Sequence, residues 1–159
     1  MLIEVKVKTS RTSDEKTKKC TETYIIDKEF FAQAEFKISE ELEEEKRSHL
    51  LDNYEIVSLK QSSIKEIDEQ SMDDTKSSFM ATLRDVFHED DGTEKYVKYK
   101  VLLWAEDLIA ANRRALELSH QGYDMLIEGI KQVDWIYLKE VEENGERRSE
   151  EAGGEGGQS

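Results

Sequence analysis

The stretch TYIIDKEFFAQAEFKI, Thr23 to Ile38, changes its hydrophobic period part-way along. Up to Ile26 it reads as a strand, and from about Glu29 it reads as one face of a helix. Phe31, Ala34, Ile38 and Leu42 then recur at three- and four-residue spacing, a stripe that faces a core. Seventy-seven positions later KVLLWAEDLIAANRRA, Lys100 to Ala115, makes the same change, with Leu108, Ala111 and Ala115 matching Phe31, Ala34 and Ile38. These two strand-to-helix corners set the frame for the rest of the chain.

Before the first corner, Ile3, Val5 and Val7 alternate with Glu4, Lys6 and Lys8, the period-two pattern of a half-buried strand. SDEKTKK, Ser13 to Lys19, is a polar turn without glycine, and a second strand runs from Cys20 to Ile26. Asp27 or Glu29 puts a negative charge where a helix dipole favours one. YEIVSLK, Tyr54 to Lys60, is the third strand. The second half follows the same order. Phe79 to Phe87 is a strand whose apolar residues fall out of one alternation, which suggests a bulge. Asp91-Gly92 is a turn pair tolerant of positive φ, Tyr96 to Trp104 is the paired strand, and Glu106-Asp107 precede the helix. Val133 to Lys139, VDWIYLK, closes the second unit as YEIVSLK closes the first.

The expected fold is therefore α+β: two β-β-α-β repeats with mainly antiparallel sheet, helices packed on one face, and a disordered acidic C-terminal tail. The first unit spans 1–62, a connector 63–77, the second unit 78–141, and the Gly/Glu-rich tail 142–159. The tail holds nothing that buries area.

TYIIDKEFFAQAEFKISEEL followed by YEIVSLKQSSIKEI resembles a conserved-hypothetical domain family of unknown function, encoded by gut anaerobes and their bacteriophages. The resemblance extends to AEDLIAANRRAL in the second half and is clearest around Asp27, Phe31, Ala34, Glu35 and Ile38 and from Glu55 to Lys60. It implies an accessory protein of a phage or mobile element. It carries no catalytic or binding motif to transfer.

Composition narrows the classes of function. The longest apolar run, Val101 to Ala105, is far below the roughly 20 residues of a membrane span. The amino-terminal MLIEVKVK has no apolar segment of the kind a signal peptide needs, and one cysteine, Cys20, provides no disulfide framework. A cytoplasmic protein is expected. The net charge of −14 is uneven: residues 61–77 and 140–159 carry more than half of the excess, so the two units are only mildly acidic. No G-x-S-x-G, phosphate loop or H-E-x-x-H is present, and His49, His88 and His120 lie far apart in sequence. HEDDGTE, His88 to Glu94, fails the calcium-loop spacing because Phe87 would occupy its first position. The expectation is a non-enzymatic protein without cofactor or metal, acting on a protein partner of host or phage.

The competing expectation is single-stranded nucleic acid. With Val97, Tyr99, Val101 and Leu103 facing the core, Tyr96, Lys98 and Lys100 face outward. Lys6 and Lys8 do the same in the first half, with Lys18 and Lys19 around its hairpin. Cations beside an aromatic ring suit a phosphate backbone and a stacked base. Against this stand the overall charge and the ordinary use of strand lysines to keep sheets soluble.

Overall fold

The structure, a computed structural model, describes residues 1–120 and 126–139. The chain forms β1 (Leu2–Ser13), β2 (Lys16–Asp27), α1 (Phe31–Arg47), β3 (Asn53–Gln61) and the short β4 (Glu66–Ile67), then a 3-10 turn over Glu69–Ser71. There follow β5 (Ser77–His88), β6 (Glu94–Ala105), α2 (Leu108–Ser119), β7 (Leu126–Gln132) and the short β8 (Ile136–Leu138). The fold is α+β, with two mixed four-stranded sheets ordered β3-β1-β2-β8 and β4-β6-β5-β7. The expected disordered tail lies outside the described residues.

Both long hairpins pair two twelve-residue strands in unbroken register, Leu2 opposite Asp27 and Ser77 opposite Ala105. The first turns through Asp14 and Glu15, both left-handed at φ 51° and 66°, so a two-residue turn of the primed kind forms here without glycine. The second closes between Glu89 and Thr93, with Gly92 at φ 85°. The expected bulge in β5 is not in its pairing with β6. Glu128 is the extra residue, in β7, between Ile127 and Gly129, which oppose Leu83 and Thr82.

Alternation sends Ile3, Val5, Val7, Tyr24 and Ile26 to one face of the first sheet, where Ala34, Ile38 and Leu42 of α1 complete a buried cluster. Phe79, Ala81, Leu103 and Ala105 likewise meet Ala111 and Ala115 of α2. Phe31 and Leu108 are exposed, contrary to their expected place in these stripes. Each is the first residue of its helix, and the stripe reaches the core only from Ala34 and Ala111 onward. Asp107 caps α2 by accepting from the Ala110 N–H at 2.8 Å. α1 has no acid in its first turn, and the Gln33 side chain instead accepts from the Phe30 N–H at 3.0 Å.

The opposite faces are not simply open. Ile25, Met80, Leu102 and Trp104 point away from the helices and join Ile64 in a third buried cluster, flanked by Ile67, Met72, Trp135 and Tyr137. Two chain crossings build this seam. After β3 the connector does not run free: the Lys65 and Asp68 N–H groups donate to the Lys100 and Leu102 carbonyls at 2.8 Å each, and β4 joins β6 in parallel. The third strand of the second half is β7, not Val133 to Lys139. Ile127 and Ile130 pack on the α2 cluster, while Ile136 to Leu138 cross over to pair in parallel with Tyr24 to Ile26 of β2. Ser78 fixes that crossing, its hydroxyl accepting from the Trp135 N–H at 2.7 Å and donating to the Trp135 carbonyl at 2.9 Å.

Replacing Glu15 with Gly removes a side chain from a left-handed position and should stabilise the protein by about 0.5–1 kcal/mol, read as a higher urea midpoint at unchanged slope. Leu102→Ala should cost about 2–5 kcal/mol. Because the chain's two tryptophans, Trp104 and Trp135, both lie at the seam, their fluorescence should move together with far-ultraviolet circular dichroism in one transition.

Candidate binding surface

In an antiparallel pair, residues directly opposite share a face, so the register decides which cations lie together. Lys6 and Lys8 of β1 oppose Thr23 and Thr21 of β2, and Ser10 opposes Lys19. Across β3, Lys6 and Lys8 oppose Ser58 and Glu55. Lys6, Lys8 and Lys19 therefore share the face of the first sheet that points away from α1. None of the three is in an ion pair among the described residues. A shallow groove of about 360 Å³ runs over this face, lined by Lys8, Ser10, Lys19, Thr21, Asn53 and Glu55.

Lys18 is on the other face. It opposes Arg11, on the α1 side of the sheet. Tyr96, Lys98 and Lys100 share the outer face of the second sheet, opposite Val86, Arg84 and Thr82. Two of these three are already engaged. The Arg84 guanidinium lies 4.8 Å from the Tyr96 ring centroid, and the Lys98 ammonium is 2.9 Å from Glu128. That hydrogen bond holds the Glu128 carboxylate below the usual range, and Arg84 adds a weaker contact to it at 3.9 Å. The six lysines and one tyrosine singled out in the sequence thus divide among three sheet faces. Arg84 and Glu128 escaped sequence reading because their positions depend on register. Counting seven residues back and seven residues on from Asp91 in the turn would have placed Arg84 across from Lys98.

Two arginine clamps hold the framework of this surface. Arg11 grips Glu22 through Nε and Nη2 at 2.9 Å each, and its Nη1 reaches Glu45 of α1 at 2.7 Å and the Leu50 carbonyl at 2.9 Å. Tyr24 and Thr9 donate to the same Glu22 carboxylate at 2.8 and 3.0 Å. Burial pushes Glu22 upward, but Arg11, Tyr24 and Thr9 more than offset it and leave the carboxyl below its ordinary range. Burial and the charge of Glu22 push the Tyr24 phenol up. Arg114 of α2 grips Asp68, just past β4, at 2.7 and 2.8 Å, and again the ion pair overcomes burial to lower the carboxyl.

Among the described residues no group of three or more His, Cys, Asp or Glu is placed to hold a metal ion. The Cys20 thiol is half-buried, with the Thr9 hydroxyl at 3.5 Å and Glu22 at 3.9 Å, and Glu22 is committed to Arg11. No described helix is long and apolar enough to cross a membrane.

Comparison with known proteins adds one relationship. The family model described as Domain of unknown function (DUF4494) matches residues 1–137. The chain belongs to the DUF4494 family. No curated protein matches it. The DUF4494 match takes in both sheets and reaches Tyr137, within β8, so it includes the crossing that returns the chain to the first sheet.

The two clamps fix a direction of pH dependence. Glu22 and Asp68 are depressed in the fold, so the stability they contribute is complete above the ordinary carboxylate range and is lost as pH falls through their lower folded values. Arg11→Met strands Glu22 and should cost about 1–3 kcal/mol at neutral pH. The gap between variant and wild type should narrow below about pH 4, measured by urea unfolding from pH 7 to pH 3.

Proposed function

We propose that this DUF4494 protein works by binding, not catalysis, and that its target is a protein. In this reading it is a cytoplasmic accessory factor of a phage or mobile element, built from two repeated β-β-α-β units at 1–62 and 78–141 that are linked by 63–77. The acidic segment from 142 lies outside the described residues. The matching strand order of the two sheets and the equal hairpin lengths support the repeat.

The observation that carries the binding reading is the length of hairpin left without a neighbour among the described residues. β8 borders β2 only at Tyr24 to Ile26, and β4 borders β6 only at Val101 and Leu102. Each hairpin therefore extends well past the short strand beside it, and unpaired backbone donors and acceptors along a strand edge are a template for an added strand.

Single-stranded nucleic acid is a second reading, favoured by one specific observation: Lys8 and Lys19 line a groove on the face they share with Lys6, and none of the three has an ion partner among the described residues. The second sheet suits it less, with Arg84 over Tyr96 and Glu128 on Lys98. The two readings separate in a paired experiment. Capture with tagged protein should retain a stoichiometric protein partner after nuclease treatment, while labelled oligo(dT) at low salt should not shift at tens of micromolar protein. An oligonucleotide shift abolished by combined Lys6→Glu, Lys8→Glu and Lys19→Glu would reverse that order.

A further inference from the structure

We propose that the free edge of β2, from Lys16 to Thr23, is the docking strand, and that it takes an extended, acidic segment of a partner protein. This rests on the binding reading above and names the site and the chemistry of its ligand.

The hydrogen-bond phase of the hairpin identifies which backbone groups are available. The Lys28 N–H donates to the Met1 carbonyl at 3.0 Å, immediately beyond the Leu2–Asp27 pair. Bonded and non-bonded pairs alternate along an antiparallel ladder, so even-numbered residues of β2 bond to β1 and odd-numbered ones point to the outer edge. Ile25, an odd residue, is accordingly at the centre of the pairing with β8. Upstream of Ile136 the chain turns away, because Trp135 is held at Ser78 in the other sheet. Thr17, Lys19 and Thr21 are thus left with outward N–H and carbonyl groups, and Thr23, next to the β8 pairing, with an outward N–H.

Charge defines the complement. Lys16 and Lys18 project on the α1 side of the strand and Lys19 on the outer side, so cations flank the edge on both faces. None of them has an ion partner among the described residues. The acid of this stretch, Glu22, is consumed by Arg11, Tyr24 and Thr9. An incoming strand therefore meets uncompensated positive charge, which acidic side chains neutralise. The corresponding edge of β6 is shorter, and its Lys98 is already paired with Glu128. That difference selects β2.

The test uses the full chain, isotope-labelled for nuclear magnetic resonance, and a synthetic octapeptide of alternating Thr and Glu. Addition of the peptide should shift the Lys19, Thr21 and Thr23 amides and slow their solvent exchange about tenfold. A peptide with Lys in place of Glu should do neither. Thr21→Pro removes one outward N–H while sparing every hairpin bond, as edge positions allow. It should retain the wild-type circular dichroism and lose the response, and Lys16→Glu, Lys18→Glu and Lys19→Glu together should transfer it to the Lys peptide. An unchanged response in folded Thr21→Pro, no response to the acidic peptide, or oligo(dT) acting at these amides instead would overturn the proposal. A partner still captured by Thr21→Pro would remove the edge from the account while leaving a binding protein.

Discussion

Everything else in the structure depends on the apolar seam formed by Ile25, Ile64, Met80, Leu102 and Trp104. Each sheet has a helix on one face, and that pairing alone buries one side only. The seam occupies part of the other side, and it does so because the chain crosses twice. β4 lays Ile67 beside Leu102, and β8 lays Tyr137 beside Ile25. The crossings also use backbone groups that the ends of β2 and β6 would otherwise present to water. A small hydrophobic contact thereby fixes how much of each sheet remains available, and where.

The polar framework follows the same plan. Arg11 ties β2 to α1 through Glu22 and Glu45, and Arg114 ties α2 to the connector through Asp68. Both guanidiniums meet carboxylates in a forked geometry that delivers two hydrogen bonds at once. These contacts consume charges that composition alone would count as surface. Among the described residues, Lys6, Lys8, Lys16, Lys18 and Lys19 are left as uncompensated cations on the first hairpin of an acidic protein.

Much of this was legible in the residues. The period change at Asp27 to Phe31 located a helix, the Ala34, Ile38 and Leu42 stripe is buried as its spacing implies, and Asp107 caps where an acid was expected. The crossings were not legible, for a physical reason. β4 and β8 are two and three residues long, too short to display any period, and their pairing is decided by the seam. Val133 to Lys139 looked like a full strand because its apolar residues are real core residues, but Val133, Trp135 and Tyr137 serve the seam. The basic face was legible residue by residue and not as a surface. Lys18 and Lys19 are adjacent in sequence and therefore on opposite sides of the sheet.

Strand exchange has a consequence for how such a chain can change over time. Each half donates a strand that is useless to itself and lacks one that it needs. A truncation that deleted either half would leave the survivor with a bare edge at Tyr24 to Ile26 or at Val101 and Leu102, and with half of its seam exposed. The two halves are held together as one heritable unit, free to diverge in their outer surfaces but not to part.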